Sequence, residues 1–183
     1  MSDKRVHFIS FEGKVRIIIA GIAEVDSIAG MMQHVFNFCG TGLRYNQDFL
    51  ESENYNADIA VICGIGSTDQ DEASDFDENK RLLRKLANGI SEGGTLVYDY
   101  DDEALRDIIN ELRADIRKIP YKMHGYFQNK LGIFVATHNR TVPVAFTGDD
   151  NMKSLSAARE ACLAAGVSED DFYEAIESFG GKL

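Results

Sequence analysis

The stretch VRIIIAGIAEVDSIAG, from Val15 to Gly30, decides how this chain folds. Val15 to Ala20 is apolar except at Arg16 and rich in β-branched residues. That predicts a strand covered on both faces, as in a parallel sheet. Gly21 breaks the run. Ile28, Met31, Met32, Val35 and Phe36 then recur at helical spacing, predicting a helix from Asp26 or Ser27 to Phe38. Either Asp26 or Ser27 is the expected N-cap, and Gly40 the expected stop. A strand, a glycine bend and a helix is how a phosphate-binding loop is introduced.

Outward from this stretch the same alternation continues. Arg5 to Phe11 reads as a short strand, with Gly13 as a turn. Thr41 to Asn56 is polar and irregular, with a helical turn expected around Phe49. Ala57 to Cys63, "ADIAVIC", is a second buried strand. A helix is expected to begin within the acidic segment Ser67 to Lys80 and to run through Leu82, Leu83, Leu86 and Ala87. Gly93-Gly94 reads as a turn, Thr95 to Tyr98 as a third parallel strand, and Asp102 to Arg113 as a helix. Ile116 to Ile119, Gly132 to Thr137 and Val142 to Phe146 read as short antiparallel strands, with "THNRT" as a hairpin turn. Gly148 to Gly166 and Glu169 to Phe179 read as two closing helices. Ser168 and Asp171 form a capping box for the second. Residues 1–183 are read as one α/β domain, mostly parallel, with a small antiparallel extension.

Of the 183 residues 44% are hydrophobic and 27% charged, and the formal net charge is −11. Such a surface repels phosphate backbones and anionic membranes, so neither nucleic acid nor membrane is an expected partner. No segment approaches about 18 consecutive apolar residues, so neither a membrane span nor a signal peptide is expected. Cys39, Cys63 and Cys162 are widely spaced, which suits reduced thiols and a cytoplasmic location. The four histidines show no metal-ligand spacing, and His34 is expected to be structural. "YKMHGYF", Tyr121 to Phe127, reads as a hairpin surface or subunit contact in preference to a ligand-facing patch.

A working mononucleotide loop needs glycines that turn N–H groups toward phosphate, a lysine, and a hydroxyl beside Mg²⁺. Gly21 supplies the bend. Glu24 and Asp26 add negative charge, and Val25 supplies none. Like charges about 4 Å apart repel by roughly 4 kcal/mol at an effective dielectric near 20. A helix N-terminus returns only about 0.3–2 kcal/mol. The loop itself therefore disfavours ATP with Mg²⁺.

Four stretches resemble the central, ATP-binding domain of the Mur ligases, which add amino acids or peptides to UDP-N-acetylmuramic acid. "IIIAGIAEVDSIAGMMQHVFNFCG" runs in step with that family's "TGTxGKTTT" loop and helix. "FLESENYNADIAVICGI", "GISEGGTLVYDYDDEAL" and "VPVAFTGDDNMKSLSAAREACLAAGVSEDDFYEAIESFGG" follow its next segments in order, the similarity covering about Val15 to Gly181. The resemblance implies a three-layer, mostly parallel sheet and places Gly21, Ser27 and Asn151 at the nucleotide site. Asp69 and Asp71 fall near its "NxxxDH" segment and are weak metal candidates. Glu24, Val25 and Asp26 replace its glycine, lysine and threonine. The family also implies a preceding UDP-sugar domain and a following α/β domain. A stand-alone, degenerate domain without ligase activity is expected, acting as a binding or regulatory module. Its expected partner is a protein or a second copy, then a nucleotide or cell-wall precursor. The alternative is an ATP-binding ligase subunit working with partner domains.

Overall fold

The computed structural model describes residues 5–11, 15–21, 24–41, 43–49, 56–65 and 73–180. Its first part comprises β1 (Arg5–Phe11), β2 (Val15–Gly21), α1 (Val25–Phe38), β3 (Leu43–Phe49) and β4 (Ala57–Cys63). It continues with α2 (Ala73–Asn88), β5 (Ile90–Asp99), α3 (Leu105–Glu111) and β6 (Arg117–Tyr121). These strands form one six-stranded sheet in the order β3-β1-β2-β4-β5-β6. β2, β4, β5 and β6 are parallel to one another, whereas β1 runs antiparallel to both β2 and β3. A separate three-stranded antiparallel sheet holds β7 (Tyr126–Asn129), β8 (Gly132–Ala136) and β9 (Thr141–Val144). The helices α4 (Asp149–Ala164) and α5 (Glu169–Glu177) close the described chain.

The apolar run of β2 is explained by the layers on either side of it. Ile17 and Ile19 join the core that contains α1, α4 and α5, while Ile18 and Ala20 join the core under α2 and α3. Successive strand residues point to opposite faces, so a strand covered twice has no polar face. Helix α1 turns Ile28, Met32, Val35 and Phe36 inward, all fully buried. Each such side chain contributes about 1.5–3 kcal/mol by leaving water. Ala157, Ala158 and Ala161 of α4 are also fully buried, and their small size lets that helix sit close to α1 and the sheet.

Several expectations hold in detail. Ser168 caps α5 by accepting from Asp171 N at 3.1 Å, and its hydroxyl donates to Asp171 Oδ2 at 2.6 Å. The hairpin turn closes with Thr137 N donating to Arg140 O at 2.9 Å. Gly40 and Gly166 follow α1 and α4 with φ of 69° and 96°, as helix-ending glycines do.

Others are corrected. The segment read as irregular, with a helical turn at Phe49, contains β3, which pairs with β1 alone among the described residues. An edge strand has one neighbour, so a polar sequence can form it without an apolar run. The strand read from Ile116 to Ile119 as antiparallel is β6, parallel to β5 at the other edge of the main sheet. Strand β5 starts at Ile90 and passes through Gly93-Gly94. A Cβ at Gly94 would lie 2.6 Å from Ile90 Cγ2 and 2.9 Å from Asp58 O, so this glycine serves close packing inside the strand. Helix α3 runs only from Leu105 to Glu111, and Asp102 makes a turn ahead of it, accepting from Ala104 N at 2.9 Å. The turn at Gly13 lies outside the described residues.

Candidate functional site

The carboxyl ends of β2, β4, β5 and β6 meet the first turns of α1 and α4. Ligands of open α/β sheets collect at such ends. Gly21 is the last residue of β2 and pairs with Cys63 of β4. A Cβ there would stand 2.0 Å from Cys63 O and 2.7 Å from Cys63 Sγ. Gly21 is therefore required for the approach of two strands, whatever the loop binds.

Glu24 is the N-cap of α1 and adopts φ 66°, ψ −4°, with no side-chain capping bond. It is the only non-glycine residue with positive φ among the described residues. This backbone suits glycine, the residue the resemblance places here, and the side chain makes it strained. The helix begins at Val25, so neither Asp26 nor Ser27 is the N-cap. Both lie within the first turn. Val25, at the family's lysine position, is 6% exposed and packs into the core. Asp26 turns toward β1, where its Oδ1 stands 2.7 Å from Nε2 of the buried His7. Ser27 is half-buried on the helix.

The loop's own residues carry no cation, but the fold brings one from elsewhere. Lys153 of α4 donates to Asp99 Oδ2 at 3.1 Å. The other oxygen of Asp99 accepts from Asp101 N at 2.9 Å. Burial opposes the Lys153 charge, but Asp99, with Glu24 and Asp101, outweighs it and raises the ammonium pKa. The Glu24 carboxyl is pushed up to about 7, chiefly by burial. Lys153 opposes the rise, and Asp150 and Asp99 add to it. Lys153 could not be assigned to this site from sequence. It lies 129 positions from Glu24, and only the α4 packing brings them together.

Asp102 stitches the neighbouring strand ends together, its Oδ2 accepting from Ile65 N at 2.8 Å. Tyr121, at the end of β6, is 2% exposed, and burial raises the pKa of its hydroxyl. Asn151 sits in the first turn of α4, and its Nδ2 donates to Thr147 O at 2.7 Å. Its amide thus fastens the approach to the helix. Gly21 and Ser27 flank the β2–α1 connection, while Asn151 belongs to the start of α4, the helix that carries Lys153. Asp69 and Asp71 lie outside the described residues. Among the described residues no cluster of His, Cys, Asp or Glu is arranged to hold a metal ion. His34 is structural, its Nε2 lying 2.9 Å from Ala175 O and 3.0 Å from Ser178 Oγ. The segment read as a hairpin surface does contain β7, one arm of the β7–β8 hairpin.

No family model matches the chain. In sequence it is similar to the UDP-N-acetylmuramate–L-alanine ligase of Caldicellulosiruptor bescii. The two are 38% identical over 153 residues, covering 75% of this chain and 32% of that enzyme. The chain thus spans about a third of that relative's length. Among solved structures it is similar to UDP-N-acetylmuramate:L-alanyl-gamma-D-glutamyl-meso-diaminopimelate ligase from Neisseria meningitides. There the TM-score is 0.66 at 15% identity, covering 89% of this chain and 65% of that one. MurF from Acinetobacter baumannii gives 0.57 at 19% identity, covering 69% of this chain and 30% of that one. Folylpolyglutamate synthase from Thermotoga maritima gives 0.59 at 12% identity, with 88% and 57% covered. At these identities the structural likeness is one of fold.

Proposed function

The chain is a Mur ligase-like domain, and on that premise we propose that it is a degenerate one, without ligase activity of its own, that serves as a cytoplasmic binding or regulatory module. The observation that carries this reading is Glu24. Its backbone takes a left-handed turn that suits the glycine the family resemblance places there, and its half-buried carboxylate lies within the electrostatic reach of Lys153, Asp150 and Asp99. The nucleotide and Mg²⁺ implied by the family do not fit these residues. The lysine position is a buried valine, and the hydroxyl position is an aspartate engaged with His7. The cation whose charge reaches Glu24, Lys153, is held by Asp99. Ligation needs phosphates and two substrates positioned together, and parts that act as a unit fail together. The partner in this reading is a protein or a second copy of the chain, with a nucleotide or a cell-wall precursor next.

The purified protein is expected to release no ADP above a protein-free control when given ATP, Mg²⁺, UDP-N-acetylmuramate and L-alanine. Turnover of about 1 s⁻¹ or faster, the ordinary lower range for enzymes, would overturn the proposal. The presence of Lys153 favours a second reading, an ATP-binding ligase subunit that works with partner domains. Its distinguishing mark is tight ATP–Mg²⁺ binding by the unmodified chain.

A further inference from the structure

Charge is distributed very unevenly along this acidic chain. Between Arg113 and Arg140 lie six of the 19 Lys and Arg but only one, Asp115, of the 30 Asp and Glu. That segment is net +5, and the other 13 cations and 29 anions make the remainder net −16. The same segment builds β6 and the β7–β8 hairpin, where large apolar side chains face water. Phe127 is 45% exposed, Met123 43% and Leu131 87%. Phe127 stacks on Phe134 across the hairpin at 5.5 Å, on the side of the small sheet away from the buried Val135 and Val142. Cations border these groups. Lys122 lies 4.0 Å above the ring of Tyr100, itself 46% exposed, and Lys130 adjoins Leu131 in the hairpin turn.

We propose that this hairpin face, with its Lys122 and Lys130 border, is a self-association surface that receives an acidic surface of a second copy of the chain. Large exposed apolar side chains rimmed by charge mark interaction sites. Charge complementarity identifies the occupant, because the remainder of the same chain supplies the opposite sign in excess. Strand addition at the neighbouring edge of the main sheet is discouraged by Arg117, Lys118 and Pro120 on β6, so the contact is made through side chains. The hairpin adjoins the first turn of α4, where Tyr126 Oη donates to Asp149 Oδ1 at 3.3 Å, so association is read without nucleotide.

Sedimentation velocity of the full chain provides the test. In about 50 mM salt, up to about 200 µM protein, a concentration-dependent associated species is expected, weakening about tenfold or more in about 500 mM salt. The Lys122→Glu/Lys130→Glu and Phe127→Ser/Leu131→Ser variants are each expected to lose about tenfold or more in association. Circular dichroism should stay unchanged, because these side chains are exposed. A monomer at every concentration in low salt would overturn the proposal. So would association that both folded variants leave intact.

Discussion

Replacing Gly21 by alanine is expected to leave little folded protein. The new methyl would lie 2.0 Å from a carbonyl oxygen of β4, and that oxygen is backbone at the paired end of two central strands. Neither strand can yield without disturbing pairs such as Ile19–Val61 and Ala20–Ile62. Overpacking costs about 1–3 kcal/mol and occasionally more, and rigid backbone at 2.0 Å puts this contact at the upper end, a large part of a total stability of about 5–15 kcal/mol. Urea unfolding should show the midpoint falling sharply or the cooperative transition vanishing. Gly30 provides the control, because a Cβ there meets nothing within 4 Å. Since Gly30 lies inside α1, Gly30→Ala should stabilise by about 0.5–1 kcal/mol. A Gly21→Ala protein with an unaltered midpoint would contradict the packing described for β2 and β4.

The second large effect has the opposite sign. Glu24→Gly is expected to stabilise the protein at neutral pH, by two routes. It removes a side chain from a left-handed conformation, a strain of about 1–2 kcal/mol. It also removes a carboxylate that burial disfavours. The folded-state pKa of Glu24, about 7, lies above its ordinary value, so the folded protein holds this proton more tightly than the unfolded chain. The resulting stabilisation is complete below the unfolded pKa, near 4.5, and is lost as pH rises through about 7. An unscreened shift of this size corresponds to about 3 kcal/mol, reduced to about 1–2 kcal/mol by the partial exposure of the group. Thermal unfolding from pH 5 to 8 should therefore show the wild type losing stability relative to Glu24→Gly as pH rises. A Glu24→Gly protein less stable than wild type at pH 8 would show that the carboxylate contributes more to the fold than it costs.

How much could be read from sequence depended on where packing is local. β2, β4 and α1 were legible because strands covered on two faces are apolar throughout and an amphipathic helix repeats every 3–4 residues. β3 was not, because an edge strand needs only one partner and "LRYNQDF" carries no apolar run. The direction of β6 was also hidden, since a short strand has the same composition in either pairing. At the site, the replacement of glycine, lysine and threonine by Glu24, Val25 and Asp26 was visible along the chain. What each now does was not visible. Val25 enters the core, Asp26 meets His7, and Glu24 meets the field of Lys153, all through contacts distant in sequence. The helix starts at Val25, with Glu24 as its N-cap in the left-handed region that suits glycine.

Calorimetric titration of ATP with Mg²⁺, into the unmodified protein and into Glu24→Gly/Val25→Lys, tests most directly whether this loop still accepts a triphosphate. The unmodified chain should give no heat of binding at millimolar nucleotide, and the double variant should gain measurable affinity. Micromolar binding by the unmodified chain would contradict the account and favour the ligase-subunit reading.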